Sequence, residues 1–108
     1  MAEELCKGVY LAQQVGGTVL IVAFGKHGTA GYTVRFRDTP IAVFPPEFQL
    51  VHTAPSGPAA DVETEFVAYT MFPATDPVKA VVVHDADGEH TVAVEQTPDE
   101  FPTCAPKT

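Results

Sequence analysis

A chain of 108 residues is long enough to bury one hydrophobic core and too short to divide comfortably into two domains. With 45% hydrophobic and 19% charged residues it has the balance of a globular chain and lies outside the disordered range. The 14 acidic against 6 basic residues leave a formal net charge of -8, which repels nucleic acid and anionic lipid on average and excludes both as partners.

No apolar run approaches the roughly 18 residues of a spanning helix. The longest, residues 19 to 24, has the length of a buried strand, so no membrane span is expected. The start, Met1-Ala2-Glu3-Glu4-Leu5, lacks the basic and apolar regions of a signal peptide. Cys6 and Cys104 lie near opposite ends of the chain. Paired, they would close nearly the whole chain and indicate an exported protein; unpaired, the expectation is a cytoplasmic one.

In chain order, Val9-Tyr10-Leu11-Ala12 reads as a strand leading into the turn Gly16-Gly17 and a second strand over residues 18 to 24. That second strand is apolar on both faces, which predicts a central, fully covered position. Residues 25 to 31 read as a glycine-rich connection. Residues 32 to 37 then alternate, with Tyr32, Val34 and Phe36 toward the core and Thr33, Arg35 and Arg37 outward. Pro40, Pro45 and Pro46 break the next segment before a strand that carries Phe48, Leu50 and His52 on one face.

Residues 53 to 60, rich in proline, glycine and alanine, read as the longest exposed loop. A long strand follows over residues 62 to 72, with Val62, Thr64, Phe66, Ala68, Thr70 and Phe72 on one face. Residues 78 to 84 and 90 to 95 flank Asp85-Ala86-Asp87-Gly88, a hairpin turn with glycine where a positive φ is needed. Residues 97 to 108, with three prolines, read as an irregular tail to a single domain spanning 1 to 108. About seven short strands with no strand-helix alternation predict an all-β fold, an antiparallel β-sandwich of immunoglobulin-like type, with a small β-barrel as the alternative.

Chemistry is sparse. Cys6, Cys104 and Ser56 sit in terminal or loop segments without a nucleophile elbow or protease signature, and no phosphate or dinucleotide fingerprint appears, so the expectation is no enzyme and no cofactor. A three-residue hairpin loop would set His84 opposite His90 as a pair of metal ligands, with Asp85 or Asp87 nearby; a four-residue loop would undo the pairing. The positive charges of Lys26, Arg35 and Arg37 form either a basic patch for an acidic partner or simply a solvated strand face.

The segment Gly25-Lys26-His27-Gly28-Thr29-Ala30-Gly31-Tyr32-Thr33-Val34 resembles the Thr-Gly-Gly-Tyr-Ser-Val segment of the PrcB C-terminal domain family. More distantly it is similar to the Asn-Pro-Thr-Thr-Gly-Tyr loop of chagasin-type cysteine-protease inhibitors. Thr29, Gly31 and Tyr32 match both, and Val34 matches the first; Ala30 departs from both, and His27-Gly28 stands in place of Asn-Pro.

The resemblance implies a sandwich that presents Lys26, His27, Gly28, Thr29, Ala30, Gly31 and Tyr32 to another protein, as a protease inhibitor or a protease-complex accessory domain. The alternative is a structural or assembly subunit forming a homo-oligomer through a sheet edge or apolar face. A metal-binding module using His84 and His90 is the third reading.

Overall fold

The computed structural model describes residues 3 to 38 and 46 to 97. Among them there is no helix. The strands are β1 (Glu4–Leu5), β2 (Val9–Val15), β3 (Thr18–His27), β4 (Thr33–Asp38), β5 (Glu47–Thr53), β6 (Thr64–Pro73), β7 (Ala80–Asp85) and β8 (Gly88–Gln96). They form one mixed sheet in the order β1-β5-β7-β8-β2-β3-β6, with β4 joined to β5. The sheet curls into a half-barrel, bringing β4 into packing distance of β6.

The sheet is not purely antiparallel: β2 runs parallel to β8, and β5 runs parallel to β7. Those pairings come from crossovers and not from hairpins, so local turn signals carry no trace of them. β1, only two residues long, adds an eighth strand beside β5.

Alternation decides what lies inside the curl. Val19, Ile21 and Ala23 of β3 are fully buried, and Leu50 of β5 with Val81 and Val83 of β7 face them from the opposite wall. Tyr10, Val34, Phe36, Phe66, Phe72 and Val92 close around this cluster. Tyr32, Val34 and Phe36 do turn inward as the alternation predicts. The central placement of β3 holds as well, between β2 and β6, but the described residues cover only one of its faces.

Two boundaries differ from the sequence reading. β3 runs on through His27, because it stays paired with β6 to the end, His27 opposite Thr64. Gly25 is therefore a strand residue, opposite Phe66, and its missing side chain makes room for that ring; a Cβ there would overlap it. The turn proper begins at Gly28, with Gly31 at φ 93° and packed against Pro55. At the other boundary β6 starts at Thr64, and Val62 is exposed ahead of it, held by its amide donating to Ala60 O.

The final hairpin is present, with a two-residue loop: Asp85 pairs with Gly88, and Gly88 takes φ 116°. The Asp85 carboxylate accepts from the Asp87 amide at 2.8 Å and pins the turn. His84 consequently opposes Glu89, and His90 opposes Val83. Of the expected tail, Thr97 bonds back to β2 through its amide to Gln14 O and its hydroxyl to Gln13. The rest of that tail, Cys104 included, lies outside the described residues, as do residues 39 to 45.

Candidate functional site

A line of titratable side chains runs through the interior at the end of the half-barrel where β3 and β5 finish. His27, last residue of β3, and His52, near the end of β5, both point inward by strand parity. His27 Nε2 lies 2.8 Å from His52 Nδ1, one ring donating to the other. Tyr32 stacks on His27 with centroids 4.3 Å apart and planes 8° apart, and Phe66 packs on the same ring at 5.2 Å.

Cys6 is buried beside this pair. Its backbone is clamped on both sides, its amide donating to Leu50 O and its carbonyl accepting from Ala86 N, each at 2.9 Å. Its side chain is a free thiol whose hydrogen-bond contact among the described residues is Lys7 O at 3.5 Å. Cys6, His27 and His52 bring Sγ and two ring nitrogens within 4.8 Å of one another. Burial above all pushes the Cys6 thiol up, and the nearby Asp85 carboxylate adds to it.

A second cluster follows along the same wall. Asp85 has a side chain only 1% exposed and holds three partners. Tyr10 Oη donates to its Oδ2 at 2.5 Å, the Asp87 amide donates to Oδ1, and His90 Nε2 sits 2.9 Å from Oδ1. Burial, reinforced by the hydrogen bond to Asp85 and its charge, pushes the Tyr10 phenol far above its ordinary range.

The outer face of β2, β3 and β6 is of opposite character. Three rows of side chains cross the strands in register: Val9, Phe24 and Val67; Leu11, Val22 and Tyr69; Gln13, Leu20 and Met71. Leu11 is 61% exposed and Tyr69 65%, and Val9, Val67 and Met71 are similarly open. The charges nearest this face sit at its margin, where Lys26 pairs with Glu63 at 3.3 Å. Next to it β2 and β8 stay paired only from Ala12 to Gln14 and then part. The gap is a groove of 530 Å³ lined in part by Leu11, Leu20, Val22 and Val92.

No family model, curated protein or solved structure matches this chain.

The residues singled out from sequence fall in several places. Lys26 is exposed and paired with Glu63, His27 and Tyr32 are turned inward against each other, and Gly28 is open to solvent. Thr29 and Ala30 are half-buried, the Ala30 amide donating to Ala60 O in the neighbouring loop, and Gly31 is exposed. His84 and His90 are not brought together: the two-residue turn puts them on opposite faces, His84 on Glu47 at 2.6 Å and His90 on Asp85. The arginine patch is partly offset, Arg35 and Arg37 both reaching the single Glu3 carboxylate and Arg37 also bonding Gln49. The bond from Arg35 above all holds the Glu3 carboxyl below its usual range.

The sequence reading missed the Cys6-His27-His52 cluster and the burial of Asp85. Parity was the available signal for His27: had the strand from residue 18 been extended to 27, that histidine would have fallen on the face of Val19, Ile21 and Ala23. His52 was already on the face of Phe48 and Leu50. Asp85 gave no such signal, because an aspartate opening a hairpin turn is ordinarily exposed.

Burial, with His52 adding to it, holds His27 below its ordinary value of 6.5. The unfolded chain therefore takes up this proton before the folded one does. The contribution of His27 to stability is complete above about 6.5 and is lost as pH falls through the lower folded value. Thermal melts of metal-free protein from about pH 8 to about pH 5 are expected to show falling stability with a flatter slope in His27→Gln. Equal slopes would assign the pH response to other groups.

Proposed function

We propose that this protein is a non-enzymatic protein-binding module acting as an assembly subunit, two copies docking through the outer face of β2, β3 and β6. The carrying observation is the set of three in-register rows on that face, apolar at every position but Gln13. Six of its apolar side chains, Val9, Leu11, Phe24, Val67, Tyr69 and Met71, are 40% to 69% exposed, a contiguous apolar patch of the kind that marks an interaction site.

Three features favour a second copy as the occupant. Residues 19 to 24 have the pattern of a strand covered on both faces, and the described residues cover one. The three rows hold no charged side chain; charges border them, with Lys26 opposite Glu65 at one end and Glu95 opposite Gln13 on the β8 side. Two such faces stacked about 10 Å apart would also produce sheet-on-sheet packing. The sandwich architecture expected from the sequence belongs to this proposal, as a feature of the pair. The loop from Gly28 to Gly31 offers a partner much less surface, since His27 and Tyr32 are committed inward.

Light scattering coupled to size-exclusion chromatography provides the test. The wild-type chain is expected to run at the mass of a dimer. Leu11→Asp/Tyr69→Asp, which changes two outward side chains of the central row, is expected to run as a monomer with an unchanged circular dichroism spectrum. A wild-type protein that stays monomeric at high concentration would overturn the reading.

A further inference from the structure

We propose that Cys6, His27 and His52 bind one transition-metal ion of borderline softness, Zn²⁺ being the ion that suits this donor set best. One thiolate and two imidazoles are ligands that zinc takes in preference to hard cations. The three donors come from separate parts of the chain: the residue after β1, the end of β3 and the end of β5. Nothing local forces them together; the fold does.

The distances are near what an ion requires. With Zn–N bonds of about 2.0 Å and a Zn–S bond of about 2.3 Å, a tetrahedral site separates its donor atoms by roughly 3.3 to 3.6 Å. Here the donor atoms all lie within 4.8 Å of one another, and the two ring nitrogens are 2.8 Å apart across a shared proton. Small rotations of the imidazoles and of the Cys6 side chain bring all three onto one centre.

The balance of protons and charge is simple. Cys6 loses its thiol proton to solvent and forms the Zn–S bond as a thiolate. The proton held between the histidines moves to a ring nitrogen that does not face the ion, so both imidazoles stay neutral and each gives one lone pair. One proton leaves per ion bound. The bound ion and the thiolate together carry one positive charge, and the Asp85 carboxylate, close enough to act on Cys6, offsets it. Tyr32 and Phe66 hold the His27 ring in place, the supporting role that outer partners play around metal ligands. The described residues supply three ligands, and a water completes the fourth position.

A structural histidine pair and ordinary core packing of Cys6 account for each group taken singly; the proposal rests on the convergence of all three donors, the Cys6 Sγ being held among the described residues by one long contact to Lys7 O. The other cluster of metal-binding residue types, Asp85, Asp87 and His90, differs in this respect. Both Asp85 oxygens there are already engaged by Tyr10, the Asp87 amide and His90.

The test is titration of the metal-free full-length protein with Co²⁺, followed by Zn²⁺. The expected result is a cobalt–thiolate charge-transfer band saturating at one ion per chain, bleached by Zn²⁺, with about one proton released per ion. Cys6→Ser should abolish the band, Cys104→Ser should keep it, and His52→Asn should weaken Zn²⁺ binding by more than about 100-fold. A second measurement needs no variant: on adding Zn²⁺, the imidazole ¹⁵N resonances of His27 and His52 should shift and those of His84 and His90 should not. Absence of the cobalt–thiolate band from the wild-type protein, or a band that depends on Cys104 and not on Cys6, would overturn the proposal, as would zinc shifts confined to His84 and His90.

Discussion

Asp85→Ala is expected to destabilise the fold by about 3 to 4 kcal/mol, the range for removing one member of a buried, charge-assisted network. The substitution leaves three groups without their acceptor: the Tyr10 hydroxyl, the Asp87 amide and His90. It also acts at two levels of structure at once. Locally the hairpin turn loses the carboxylate that holds it, and at long range β2 loses its bond to the end of β7, a tie between residues 75 positions apart. Urea denaturation should show the midpoint falling with little change in slope, and the melting temperature dropping by more than about 10 °C. Asp85→Asn provides the control. It keeps the shape and one acceptor oxygen, and Tyr10 can reverse its hydroxyl to accept, so the cost should fall to about 1 to 2 kcal/mol. Equal losses in the two variants would mean that the charge, and not the hydrogen-bond geometry, holds this corner.

Gln14→Leu is the second large effect, expected at about 2 to 4 kcal/mol although the new side chain is apolar and similar in size. Gln14 is 4% exposed, and its amide is fully engaged. Nε2 donates to Ala74 O and Asp76 O, while Oε1 accepts from the Val78 amide at 2.8 Å and from Gln96 Nε2 at 3.0 Å. One side chain thus fastens the connection between β6 and β7, and the end of β8, to β2. Leucine fills the space and leaves the buried Val78 amide without an acceptor, which outweighs any gain in apolar burial. The Val78 amide should lose its hydrogen-exchange protection selectively; if it keeps that protection in the variant, the segment has another anchor.

The two predictions share a cause that bears on how the chain could be read. Gln14 and Asp85 are the buried polar residues among those described, and both look ordinary in sequence. Gln14 sits two residues from Ala12, on the face the alternation assigns to the interior, where a glutamine is easily taken as a strand's end meeting solvent. Asp85 sits at a turn that favours aspartate for local reasons. Each becomes structural through partners far along the chain, and no local pattern records such partners.

The final hairpin shows the same division on a smaller scale. Gly88 and the flanking valines identified it, while the loop length set which histidine faces which residue. A shift of one position in register exchanges the two faces of a strand. With the two-residue loop, His84 and His90 part company, and a metal reading that depended on the three-residue loop lost its geometry. Metal-binding residue types converge at two other places, Asp85 and Asp87 with His90, and Cys6 with His27 and His52, the latter drawn from the residue after β1, from β3 and from β5.

By itself, then, the sequence determined the all-β class, the positions of most strands and the inward set along those that alternate cleanly, such as Val34 and Phe36, because successive side chains of an extended backbone point to opposite sides whatever the neighbours are. The tertiary structure decided that β2 lies parallel to β8 and β5 to β7, that the sheet curls into a half-barrel, and that a thiol and two imidazoles meet at one end of it. Those outcomes depend on which strands are neighbours, and that choice is made by packing the whole core at once, between residues whose separation along the chain leaves no local signature.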